Sequence, residues 1–265
     1  TVYKSSAFGF YSALLCGILF SMLCTVFQEP LLVLLGADGE TAAATAAYMR
    51  WTVSCGAAPA ILNVVLAYMV RSEGNSFHAS IGTMSGCLLN IVLDPVFILP
   101  QGLGMGAAGA ALATFISNCV ACLYFFLLLL VKRRQTMISL NPRQLHLKKE
   151  VVLGVCIVGS SAAIQNLLNV TGMTILNNFT SGYGAGAMAA MGITQKIYMI
   201  PMYVALGLSQ GIMPLISYNY SGKNYKRMKE TLLFTVKITL AFMAVVTIFF
   251  YLGAGSLTAA FMKDA

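Results

Sequence analysis

The sequence predicts an all-α integral membrane protein, a polytopic bundle of about seven transmembrane helices. Two observations about its bulk predict this. Hydrophobic residues make up 58% of the 265 and charged residues only 9%, against roughly 25% charged in soluble domains. Mean hydropathy is +0.81. A third observation is spacing. Apolar runs of the ~20 residues that a bilayer span requires recur along most of the chain, divided by short polar loops.

In chain order, the runs place spans at about 7–35, 48–70, 78–99, 105–131, 151–179, 186–218 and 230–253. The first is interrupted near Glu29-Pro30, where proline removes a backbone donor. The sixth holds Pro201 and Pro214, so a kink or a tilted helix is expected there. The loops alternate in charge. Lys4 precedes the first span, Asp38 and Glu40 follow it, and Arg71 lies between the second and third. The Pro100–Gly104 turn is uncharged. Lys132, Arg133, Arg134, Arg143, Lys148 and Lys149 separate spans four and five. The turn near Ser181–Ala185 is again uncharged, and Lys223, Lys226, Arg227 and Lys229 precede the last span. By the positive-inside rule, residue 1 and the 132–150 segment face the cytoplasm of a multi-pass protein in the cell (inner) membrane. The net charge of +8 is therefore a topology signal and no argument for nucleic acid.

Three regions follow: residues 1–131 with four spans, a basic cytoplasmic linker at 132–150 suited to anionic lipid headgroups, and residues 151–265 with three spans. Ser5–Asp38 can be laid over Thr231–Asp264 without gaps, each with a long apolar span, an interruption and a terminal acid. Such a repeat implies two six-span lobes, with two helices expected before Thr1 and three after Ala265. The seven cysteines all fall inside apolar runs, the pattern of small core residues; the C-V-A-C of Cys119–Cys122 has no histidine near it.

The chemistry concentrates in Leu88–Leu99, LLNIVLDPVFIL. Asn90 and Asp94, four apart, share one face of a helix, and Pro95 deprives the Ile91 carbonyl of its helical donor. A carboxylate, an amide oxygen and a freed carbonyl thus meet in an apolar span. A charge at mid-bilayer costs about 2.5–3.5 kcal/mol on insertion scales, so Asp94 needs a polar partner, a proton or a cation. The plainer alternative is an Asp that pins a proline-marked helix. Gln165 and Asn169 form a second polar face, open to a cavity role or to an interhelical hydrogen bond. Lys196 beside Gln195 is a membrane-embedded cation that can also snorkel. Tyr198, Met199 and Met202 suit either an adaptable wall for aromatic cations or ordinary packing. Neither a nucleophile–base pair nor a phosphate-binding loop is present, so no enzyme and no cofactor are expected.

Four stretches in order resemble one family: Arg71-Ser-Glu-Gly-Asn75, Asn90–Ile98, Gly106–Thr114, and Gly207–Pro214 followed by Tyr218–Arg227. The chain is similar to the multidrug and toxic compound extrusion (MATE) family, covering its helices three to nine of twelve. The resemblance implies an antiporter that exports organic, often cationic, compounds such as drugs in exchange for Na⁺ or H⁺. It implies a cation site to which Asn90, Asp94 and Thr114 correspond. From the residues alone, Thr114 shares a stripe with Gly106, Ala110 and Asn118 that could be a close-packing face. Small organic cations and membrane lipids are the expected partners, with a monomeric protein. The rival readings are a lipid-linked saccharide flippase of the same superfamily, a seven-helix retinal protein using Lys237 and Asp94, and a passive channel.

Overall fold

A computed structural model describes residues 2–34, 39–133, 135–142 and 149–261 of the chain. Asp38, Arg134, Arg143 and Lys148, invoked for topology above, lie outside them. The described regular structure is helical: α1 (Val2–Val26), α2 (Gln28–Leu34), α3 (Gly39–Met49), a π turn (Arg50–Ser54), α4 (Ala57–Ser72), α5 (Ser76–Ile98), α6 (Ala107–Val131), α7 (Lys149–Ser181), α8 (Ala185–Ser221) and α9 (Tyr225–Phe261). Among the described residues, six helices are long and apolar enough to cross a membrane, or seven if one bent pair is counted as a single span. Two compact units divide the chain at Val155/Cys156.

In the first unit, the interruption of the first span comes at Phe27, ahead of Glu29-Pro30. Pro30 is accommodated in the first turn of α2, where a backbone N–H has no helical partner to lose. The second span differs more. It starts at Gly39 instead of 48, because the alanine-rich Gly39–Met49 stretch has high helix propensity without the hydropathy of a span. It also bends by 42° between its halves. Pro59 lacks an N–H and crowds the carbonyl of Cys55, four residues back. The helix answers with a wider turn, in which Cys55 N–H bonds Arg50 O at 2.9 Å. Gly56 is required there, since a Cβ would stand 2.3 Å from the Trp51 carbonyl oxygen. α1 braces the turn through Ser21 Oγ to Val53 O (3.0 Å) and Thr25 Oγ1 to Ser54 Oγ (2.9 Å).

α5 and α6 form a hairpin that packs along its length. Its turn folds back on the end of α5: Leu103 N–H bonds Val96 O at 2.8 Å and Met105 N–H bonds Phe97 O at 2.9 Å. The carbonyls that a helix C-terminus leaves open are thereby satisfied. Gly104 (φ 62°) and Gly106 (φ 56°) supply the left-handed backbone of the turn. The core of the unit lies at its opposite end, where Phe10, Leu66, Val70, Ala79, Phe125 and Leu129 from α1, α4, α5 and α6 meet.

The segment after α6 closes that end. Ile138 is buried in the same core. Glu73, in the turn between α4 and α5, accepts hydrogen bonds from Thr136 Oγ1 (2.8 Å), Met137 N–H (2.5 Å) and Ile138 N–H (3.1 Å). Ser139 N–H bonds Ser6 Oγ at 3.1 Å, and Tyr11 Oη donates to Leu140 O at 2.7 Å. Hydrogen bonds to a charged group contribute about 1.5–3 kcal/mol each. Glu73→Ala should therefore speed amide hydrogen exchange at Met137 and Ile138 by roughly 10- to 100-fold, with the amides of α4 and α6 unchanged.

In the second unit, α8 and α9 pack side by side and α7 is exposed along most of its length. α8 runs unbroken through Pro201 and Pro214 for 37 residues. At 1.5 Å per residue that is about 55 Å, well beyond a ~30 Å hydrocarbon core, so the helix tilts or projects from the bilayer. α9 continues through Gly253, the position that overlays the break at Phe27, so the interruption in the suspected repeat is not shared. The seven cysteines are unpaired.

Candidate cation site

The site is built on the α5–α6 hairpin. Asn90 and Asp94 stand on successive turns of α5, and the Asn90 amide donates to Asp94 Oδ1 at 3.2 Å. The hairpin turn sets the register of α6 so that Thr114 comes opposite, and the Asn90 amide also donates to Thr114 Oγ1 at 3.5 Å. Thr114 in turn donates to Ala110 O at 3.0 Å, back along its own helix. That bond fixes the hydroxyl so that its lone pairs face Asn90. The three side chains are half-buried within this unit. Asp94 thus has an oxygen-bearing neighbourhood instead of facing only hydrocarbon. Helix α5 runs through Pro95, with Leu99 N–H bonding Pro95 O at 3.2 Å, and the Ile91 carbonyl lacks the donor that residue 95 would have supplied.

A carboxylate, an amide, a hydroxyl and a carbonyl form a set that suits a hard cation, which takes oxygen ligands. The amide presents hydrogens to both neighbours. A cation held by the same trio would require the amide to rotate and present Oδ1. Among the described residues, no group of three His, Cys, Asp or Glu could hold a metal ion.

A turn further along α6, Asn118 of the Thr114 stripe meets a residue of α4 that periodicity did not single out. Asn63 of α4 donates to Asn118 Oδ1 at 3.1 Å. Asn63 Oδ1 and Ser117 Oγ are buried, with no hydrogen-bond partner among the described residues. The signal was an isolated Asn in the apolar run Ala57–Val70. Trp51, in the π turn, lies against Phe115, with ring centroids 5.8 Å apart, which ties the bend of the second span to the residue after Thr114.

The second-unit candidates are placed differently. Gln195 meets Asn177 of α7 at 3.5 Å, a residue the sequence reading passed over. Gln165 and Asn169, two to three turns nearer the start of α7, are exposed. On α8, Gln195, Met199 and Met202 form a half-buried stripe, whereas Lys196 and Tyr198 are exposed.

Comparison with known proteins bears on this arrangement. The MatE family model matches residues 1–96 and 161–265. A relative described as "Multidrug export protein MepA", from Staphylococcus saprophyticus, is 32% identical over 261 residues, covering 98% of this chain and 56% of the relative. Its counterpart from Staphylococcus haemolyticus is 32% identical over 243 residues, covering 91% and 51%. The chain spans about half the length of these relatives. Among solved structures, an outward-facing multidrug resistance MATE family transporter of the MOP superfamily superposes with a TM-score of 0.90 at 26% identity, over 98% of this chain and 57% of the other. A MATE structure in the bent conformation gives 0.84 at 25% identity, over 98% and 61%.

Proposed function

The chain belongs to the multidrug and toxic compound extrusion family, and from that premise we propose that its protein exports organic cations by exchange for Na⁺ or H⁺. The observation that carries the proposal is the Asn90–Asp94–Thr114 cluster, with its separations of 3.2 and 3.5 Å. A carboxylate in an apolar helix can hold a proton or a small cation, and exchanging one for the other couples an ion gradient to a change of conformation. With a cation bound, Asp94, Asn90 Oδ1 and Thr114 Oγ1 act together and draw α5 and α6 into one arrangement. With the ion gone, the amide returns to its present pose. Gln195, Met199 and Met202, with Lys196, Tyr198, Gln165 and Asn169, are assigned to the drug-facing wall. Thioethers and aromatic faces there suit cations of varied shape. The protein is a carrier, without enzymatic chemistry or a cofactor.

The retinal reading loses its footing with family membership. The flippase reading calls for several arginines within the spans to hold pyrophosphate; among the described residues Arg50, in the π turn of the second span, is the one arginine set inside a span away from its ends. The test is efflux of a fluorescent organic cation from vesicles holding the complete protein, with Na⁺ and pH gradients imposed separately. One gradient should drive efflux and its collapse should stop it. Efflux that ignores both gradients would sink the antiport proposal.

A further inference from the structure

We infer that the cleft between the end of α6 and the stapled segment 136–142 seats one anionic phospholipid of the cytoplasmic leaflet. The cleft has a volume of about 510 Å³, within the range of small-molecule sites. Phe126, Leu130 and Leu140 give it apolar walls, and Arg133 stands among its lining residues with Tyr3 and Asn141. Among the described residues, no acidic side chain lines it. The outer wall of this cleft is ordered. The bonds from Glu73, Ser6 and Tyr11 hold residues 136–140 against the unit.

The chemistry of the cleft changes along its length. At one end, Phe126 and, a turn later, Leu130 (67% exposed) line it from α6. At the other, Arg133 follows the last helical turn, where the loop-charge pattern puts the cytoplasmic headgroup region. An acyl chain lying along Phe126 and Leu130 brings a phosphate to the guanidinium, which holds phosphate oxygens through paired N–H donors. A soluble anion would leave the apolar walls uncovered, and a neutral lipid would leave the arginine without a counter-charge.

The test uses the complete protein in nanodiscs of phosphatidylcholine with a minor share of phosphatidylglycerol. Native mass spectrometry after release counts the retained phosphatidylglycerol. Arg133→Gln should lower retention at least ~5-fold, the worth of one cation near a headgroup. Lys229→Gln, an exposed charge early in α9, should change it less than about twofold. Leu130→Trp keeps every charge but fills the cleft, and should lower retention as Arg133→Gln does. Equal losses for Arg133→Gln and Lys229→Gln would mean diffuse attraction and overturn the site. So would wild-type retention in Leu130→Trp, or displacement of the lipid by millimolar glycerol phosphate.

Discussion

Asp94→Asn in the complete protein should reduce drug efflux by more than ~100-fold while leaving the protein in the membrane at normal abundance. The two halves of that expectation rest on the same atoms. An asparagine at 94 keeps an oxygen where Asp94 Oδ1 now accepts from the Asn90 amide at 3.2 Å, so the link along α5 survives. Removing a charge from a span favours insertion, by up to about 2.5–3.5 kcal/mol on insertion scales. What is lost is the negative charge that a proton or cation neutralises. Depriving a buried charge of its partner costs about 3–5 kcal/mol, which at 1.4 kcal/mol per tenfold exceeds a factor of ~100. Asn90→Ala and Thr114→Ala remove neutral ligands only and should each cost less than Asp94→Asn. Efflux rates normalised to protein in the membrane decide the matter. Wild-type rates in Asp94→Asn would remove the carboxylate from the mechanism.

The ease of reading this site from sequence differed from residue to residue, for physical reasons. Asn90 and Asp94 sit on one helix, and the helical repeat alone puts residues four apart side by side. Thr114 is another matter. Its meeting with Asn90 depends on where the hairpin turn ends, and that is decided by Leu103 and Met105 bonding back to Val96 and Phe97. No periodicity encodes that register, and the residue came to notice through a family resemblance. The spans were legible because hydropathy over 20 residues is a summed signal. The 42° bend within the second was not, because one proline and one glycine hardly alter that sum. Their joint effect shows only when Pro59 is set against the Cys55 carbonyl and Gly56 against Trp51. Glu73 lies within one of the stretches that carry the family resemblance, and nothing near it in sequence points to what it bonds. Its partners lie 63 to 65 residues away, a separation that local pattern cannot bridge. The second-unit candidates show the same limit. A polar residue on a long apolar helix announces itself, but whether Gln165 or Asn177 meets α8 depends on how the helices are set side by side.

The hairpin that brings Thr114 to Asn90 is itself held by a glycine contact, and Gly82→Ala should damage both stability and transport. Gly82 and Gly86 are four apart on α5 and lie against Phe125, Ala121 and Ser117 of α6. This is the close approach that small residues allow between membrane helices. A Cβ at Gly82 would stand 2.4 Å from Phe125 Cζ and 2.6 Å from its Cε1. Phe125 is 0% exposed and packed in the core with Leu66 and Val70, so it cannot yield without moving them. Alanine is the better helix former by about 1 kcal/mol, but overpacking a filled core costs about 1–3 kcal/mol. The clash should win, lowering the melting temperature of the protein in detergent by several degrees. At Gly86 a Cβ would meet Ala121 Cβ and Ser117 O at 3.2 Å, a contact that a small shift relieves. Gly86→Ala should therefore be the milder of the two. Phe125→Leu opens the space that the new methyl needs, so the double variant Gly82→Ala/Phe125→Leu should be more stable than the sum of the single effects predicts. If the hairpin also sets the 3.5 Å approach of Asn90 to Thr114, efflux should fall in Gly82→Ala and recover with stability in the double variant. Stability that recovers while efflux does not would mean that the α5–α6 packing and the ion site are separate matters.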